Sequence, residues 1–221
     1  MMDAINKIIG WMPALLQSTG TTLSLSVLSV AAALVFSVFL ALGKISRNAV
    51  VSAVCRAYIF FFRGTPLLMQ LFFIYYTLPQ LVPALNIQSR FFAAWLAFTL
   101  NVAAYLAEII RAAIESIDKG QMEAGRSLGL PYATTMRFVV IPQAIKNILP
   151  ALGNELITLL KDTSIVTVIG LRDLTKAAQL VQGKTYQAFM PYVGIAVLYL
   201  AMVMILSGLM GLLERRMRAS D

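Results

Sequence analysis

Histidine is absent from this 221-residue chain, and cysteine occurs once, at Cys55. The first absence removes the commonest metal ligand and the side chain whose charge changes near neutral pH. A lone thiol cannot close an internal disulfide, so the redox compartment cannot be argued from it. Charge is also scarce: 13% of residues are charged, about half the share of an ordinary soluble domain. There is no Walker-type glycine loop, so the chain is not expected to hydrolyse nucleotide or to hold a cofactor or metal of its own. Without histidine, a thiol dyad or a carboxylate cluster, a membrane enzyme lacks support. No cleavable leader is evident, because Lys7, Trp11 and Pro13 precede the first long apolar run.

Apolar side chains are abundant, at 59% of the chain with a mean hydropathy of +0.80. Uncharged stretches separate Lys7 from Lys44, Arg63 from Arg90, Arg90 from Glu108, and Lys184 from Glu214. About 20 apolar residues cross the hydrocarbon as a helix. The pattern predicts spans at about 21–42, 58–81, 91–114, 148–169 and 189–213. The fourth is the unusual one, since it contains Glu155, Lys161 and Asp162. Before the first span, Ile5, Ile8, Ile9, Met12, Leu15 and Leu16 recur at helical spacing. They predict an interfacial amphipathic helix over residues 1–17, kinked at Pro13. A disordered terminus is the alternative.

Basic residues set the orientation. Lys44, Arg47, Arg56 and Arg63 lie around the first loop, and Arg111, Lys119, Arg126, Arg137 and Lys146 around the third. Arg215, Arg216 and Arg218 follow the last span, and residues 217–221 form a tail. The opposite loops hold Arg90, then Arg172, Lys176 and Lys184. The N-terminus is therefore expected outside and the C-terminus in the cytoplasm. This bias accounts for the net charge of +8 without nucleic acid. Five helices are few for a pathway, so an oligomer is expected.

Within the cytoplasmic loop 115–147, the pattern is too regular for a plain connection. Met122–Leu128 reads as a short helix stopped by Gly129, Leu130 and Pro131. Tyr132–Ile141 reads as a second helix, and Pro142 and Pro150 then punctuate the return to the membrane. The expectation is two helices meeting at an elbow on the membrane surface.

That elbow carries a specific pattern: Glu123-Ala124-Gly125, three residues, Gly129, nine residues, then Val139-Val140-Ile141-Pro142. It resembles the E-A-A-x3-G-x9-I-x-L-P signature of permease subunits of bacterial ABC importers. Gly125, Val139 and Ile141 depart conservatively from it. Phe62-Arg63-Gly64-Thr65-Pro66-Leu67-Leu68, Ala104 to Arg111, Gly153-Asn154-Glu155 and Leu160 to Ser164 are similar to the polar amino acid branch. The resemblance runs from about residue 15 to 216. It implies an all-α integral membrane protein of the type I importer permease fold, with five transmembrane helices in a domain over 18–216. It further implies a second permease subunit, identical or paralogous, and two ATPase subunits that bind ATP and Mg. An external or periplasmic binding protein would deliver an amino acid to the inner membrane. Glu123, Ala124, Gly125, Ser127, Leu128, Gly129 and Leu130 would form the helix that couples to the ATPase. Glu123 would fix the bend or meet a basic residue on the ATPase; otherwise it only caps a surface helix.

Other polar residues are candidates for the path. Asn154, Thr158, Lys161 and Asp162 fall on one helical face, with Glu155 bordering it and Ser164 beyond. Charges in hydrocarbon face a cavity, a partner or each other. Lys161 and Asp162 can meet an amino acid's carboxylate and ammonium, or can stabilise span packing instead. Asn101, Tyr105 and Thr65 are further path candidates. Glu108 and Arg111 can pair along their helix, as a gate or as a helix-end ion pair. Pro66 should bend its span, and Arg63 either takes part in gating or snorkels to the headgroups.

A secondary transporter driven by an ion gradient is the rival class, though no internal repeat supports it. A channel would need a filter that is not visible. The substrate is not fixed by these motifs. The Ile117–Gln121 and Arg63–Pro66 runs lean, by resemblance, to the cystine-type subgroup.

Overall fold

The computed structural model describes residues 2–85 and 87–218, with side chains from Gly10 onward except at Ala84 and Arg218. Every regular element among them is helical. Helix α1 (Met2–Lys44) is followed by α2 (Ala49–Gly64) and α3 (Leu67–Phe72). A π-turn over Phe73–Thr77 leads into α4 (Leu78–Leu81), and α5 (Arg90–Glu115) returns across the molecule. The elbow is α6 (Lys119–Ser127) and α7 (Tyr132–Thr135), the latter running through a π-turn at Met136–Val140 into α8 (Ile141–Asp162). A 3₁₀ segment, Thr163–Ile169, then precedes α9 (Leu174–Thr185) and α10 (Phe189–Arg218).

Among the described residues, three helices are long and apolar enough to cross a membrane: Gly10–Lys44, Arg90–Glu115 and Phe189–Met217. A bent pair, Ala49–Gly64 with Leu67–Leu81, passes the same criterion jointly. The bend expected at Pro66 is present, and only the start of the span, read at about 58, is moved. The helix starts at Ala49, and its two halves meet at 106° where Thr65 and Pro66 interrupt it. Proline supplies no N–H, and the residue before it is pushed out of the helical region; Thr65 is extended, at φ −117° and ψ 146°. The expected fourth span corresponds to α8 and its 3₁₀ extension, whose charges keep it below the apolarity of the others.

Two further expectations are changed. The head of the chain and the first span are one continuous helix, with Pro13 inside it. Leu15, expected at the membrane surface, is 3% exposed and packs with Leu174, Ala178 and Ile195. The side chains of Ile5, Ile8 and Ile9 lie outside the described residues. Pro142 and Pro150 do not punctuate the return to the membrane either. Pro142 sits just past the π-turn and Pro150 within α8, and the backbone stays helical through the junction, at Val140 (φ −78°, ψ −51°) and Ile141 (φ −60°, ψ −45°). The second arm of the elbow therefore runs directly into α8.

Helix α5 is the packing centre. Ala93, Ala94, Ala97, Ala103, Ala104 and Ala107 are buried along it, with Phe98, Val102 and Leu106 filling between them. The facing stripe of α1 is also small: Thr22, Ser26, Ser29, Ala33 and Ser37 are fully buried. Lipid tails are as apolar as leucine, so helices in a membrane associate through close van der Waals packing, which small residues permit. Ser26 and Ser37 bond back to carbonyls of their own helix, at 2.9 and 2.8 Å. By contrast, α10 leaves Val197, Leu200, Met204, Ile205, Leu209 and Leu212 exposed.

Candidate functional site: elbow, bend and open polar face

The elbow closes on itself. Asp118 caps α6 by accepting from the Gly120 N–H at 2.7 Å. At the other end, Gly129 adopts φ +83°, a conformation only glycine takes readily. Its turn is sealed by Leu128 N–H to Ala124 O at 3.1 Å, Gly129 N–H to Arg126 O at 3.0 Å, and Leu130 N–H to Gly125 O at 3.1 Å. Arg126 adds a side-chain bond to the Leu130 carbonyl at 3.1 Å. Gly125 is buried against Thr135; a Cβ there would come within 2.5 Å of the Thr135 methyl. Glycine at this departure from the motif is what lets the two arms touch. The rest of the elbow faces outward: Glu123, Ala124, Ser127 and Gly129 are exposed, Leu130 is half-buried, and Leu128 is 83% exposed. Tyr132 and Phe138 extend the apolar surface.

The bend at Thr65 is closed by side chains. The Gln70 amide nitrogen donates to the carbonyls of Phe62 (2.9 Å) and Thr65 (3.1 Å) and to Thr65 Oγ1 (2.8 Å). Asn101, from α5, donates to the Phe62 carbonyl at 3.2 Å and to Gln70 Oε1 at 3.0 Å. Thr65 Oγ1 donates to Phe61 O at 2.9 Å. The polar groups freed by Pro66 thus find partners away from water, the condition under which broken backbone is tolerated at membrane depth. Thr65 and Asn101, read as path candidates, meet here. Gln70 was missed; a lone glutamine one turn into an apolar helix just after a Gly-x-Pro break was its signal.

Below the bend, Glu108 pairs with Lys44 of α1 and with Arg111 at 2.9 Å, and Arg111 also pairs with Glu115. The i,i+3 pair expected within α5 is thus part of a tie between α5 and the end of α1. Lys44 was unforeseen because it lies 64 residues from its partner. Arg63 lies over the Tyr105 ring, 5.3 Å from its centroid. Pro66 is exposed.

Helix α8 presents the remaining candidates. Gly153, Leu156, Leu159 and Leu160 are buried, and Gly153 lies against Met210 of α10. On the opposite face Asn154, Thr158 and Lys161 are exposed, while Glu155, Asp162 and Ser164 are half-buried. Asn154, Thr158 and Lys161 have no side-chain hydrogen bond or salt bridge among the described residues. A polar face left open on an otherwise apolar molecule points at a cavity or a partner.

At the far end of the molecule, Arg90 donates to Gly170 O at 3.3 Å. Asp173, fully buried, caps α9 by accepting from Thr175 and Lys176 N–H, both at 2.9 Å. Burial pushes its carboxyl above the usual range, and those two N–H groups oppose the rise. Neither α9 nor Asp173 was anticipated, although aspartate before a Leu-Thr-Lys start is an N-cap signal. Among the described residues no group of three Cys, Asp or Glu side chains is placed to hold a metal.

Residues 33–219 match the family described as the binding-protein-dependent transport system inner membrane component. The chain belongs to this family. It is 42% identical to the arginine transport system permease protein ArtQ of Bacillus subtilis, covering 95% of this chain and 94% of that one. It is 40% identical to a putative glutamine transport system permease protein GlnP of Rickettsia bellii, covering 93% and 94%. Among solved structures, an amino acid ABC transporter with histidines superposes with a TM-score of 0.89 at 46% identity, covering 95% and 96%. The inward-facing MetNI methionine transporter shares the fold, with a TM-score of 0.74 at 22% identity. The permease fold of type I ABC importers is therefore the architecture, and the elbow lies where the family signature was read.

Proposed function

We propose that this permease is the membrane-spanning, non-catalytic subunit of an ATP-driven importer of polar amino acids. The observation that carries the reading is the elbow: its base is sealed by Gly125 and Thr135 and its apolar tip, Leu128, projects outward. A short helix with small outward residues can seat in a groove on an ATPase subunit. Two ATPase subunits, holding ATP and Mg, would close on nucleotide and carry the elbow with them. A rigid-body switch of the attached helices follows. A second permease subunit would complete the pathway, and an external binding protein would deliver substrate. The positive-inside bias favours an N-terminus outside and a cytoplasmic C-terminus, with the elbow in the cytoplasm.

The open face of α8 is the proposed substrate contact. Lys161 would meet a carboxylate, with Asn154 and Thr158 offering neutral hydrogen bonds. Relatives named for arginine and glutamine support amino acids as the class. The Ile117–Gln121 and Arg63–Pro66 runs keep cystine-type substrates as the finer proposal. Uptake into proteoliposomes holding permease, ATPase and binding protein tests the whole reading. Transport should need ATP and vanish without the ATPase; uptake driven by an ion gradient alone would instead establish a secondary transporter. Competition among arginine, glutamine and cystine then ranks the substrates.

A further inference from the structure

Between the end of α1, the middle of α2 and α5 lies a cavity of about 540 Å³ whose lining includes Lys44, Arg56, Phe60, Arg63, Tyr105 and Glu108. Three cations, Lys44, Arg56 and Arg63, line it beside a single carboxylate, Glu108, which is already shared by Lys44 and Arg111. Arg56 makes its described bond to the Ser52 carbonyl of its own helix, at 3.3 Å. Arg63 rests on the Tyr105 ring. Neither guanidinium has a carboxylate partner among the described residues. The cavity therefore holds uncompensated positive charge with planar donors suited to a phosphate.

The surroundings identify which phosphate. Phe60, at the cavity rim, is 82% exposed, and Val50 and Val54 of the same helix are 73% and 65% exposed. An apolar face of this kind suits acyl chains. The cavity opens beside Lys44, at the helix end where the chain leaves the apolar region, and basic pockets between helices at that depth take acidic headgroups. We propose that this cavity binds the phosphate headgroup of an anionic phospholipid in the leaflet that faces the elbow. The headgroup bridges Arg56 and Arg63 and holds the ends of α1, α2 and α5 together. The inference rests on membrane placement and is independent of the transported substrate.

The test is native mass spectrometry of the permease–ATPase complex in detergent, with phosphatidylglycerol, phosphatidylcholine or inorganic phosphate added. Phosphatidylglycerol should be retained and phosphatidylcholine lost. Arg56→Gln with Arg63→Gln should weaken retention roughly thirtyfold. Arg56→Lys with Arg63→Lys should keep most of it, and Arg172→Gln with Lys184→Gln, at the opposite end, should leave it unchanged. If the double glutamine variant fails to assemble, Arg56→Gln alone should weaken retention about fivefold. Retention indifferent to the arginines or equal for phosphatidylcholine overturns the proposal. Displacement by inorganic phosphate overturns it as well, because the site would then belong to a soluble anion.

Discussion

The molecule breaks its helices twice with the same device. Gly64-Thr65-Pro66 and Gly129-Leu130-Pro131 are each followed by a short helix and then a π-turn, at Phe73–Thr77 and Met136–Val140. The surroundings of the two breaks differ. The first is roofed by Gln70 and Asn101, so that side chains from two helices satisfy the freed carbonyls. The second closes largely through its own backbone at Gly129 and Leu130, with Arg126 and Thr135 of the elbow itself donating to the Leu130 and Pro131 carbonyls, and leaves Leu128 and Tyr132 outside. A break among apolar helices must be closed by side chains and becomes architecture. A break at the surface closes within its own segment and leaves its large apolar side chains outside.

Substitution sharpens this contrast, and the largest effect should come from the elbow. Leu128→Asp should weaken ATPase binding roughly thirtyfold, as for a central interface anchor, while thermal unfolding of the permease in detergent stays unchanged. A loss of stability instead would make Leu128 architecture, like Gln70. At the inner break the order reverses. Gln70→Leu leaves the Thr65 carbonyl and the Asn101 amide short of partners and should destabilise the protein by about 1–3 kcal/mol, read as a lowered melting temperature. Gly125→Ala should cost about 1–3 kcal/mol through the Thr135 clash, and Thr135→Ala in the same chain should recover part of it; no recovery would place the strain elsewhere.

The smallest effect belongs to Asp173, whose carboxyl is raised by burial. A raised folded value means that the folded protein holds the proton more tightly than the unfolded chain. This group's contribution is therefore greatest in acid and is lost as pH rises from the ordinary carboxylate range through the raised value. Asp173→Asn should flatten that limb in melting curves taken across acid pH. A variant that follows wild type throughout would show that the two N–H bonds cancel the burial.

Much of this was legible in residues close together in the chain. The elbow could be read because Gly129 and Pro131 announce a stop, and because the family spacing covers a single loop. The break at Pro66 was legible for the same reason. Its roof was not, since Asn101 reaches it across 39 residues and only folding brings them together. Pro142 and Pro150 misled because proline reads as punctuation, yet in membrane helices local π adjustments and neighbouring groups re-satisfy the freed backbone. Lys44 read as topology alone, although it also ties α1 to α5. The open face of α8 was visible as a spacing of four and three, and its exposure in the folded chain agrees with that spacing.

Because α7, its π-turn and α8 follow one another without a gap from Tyr132 to Asp162, they form a rod of about 45 Å at 1.5 Å per residue. On the proposed reading of the elbow, a tilt of its second arm is carried along this stretch to Asn154, Thr158 and Lys161, as a crankshaft carries its throw from one end to the other.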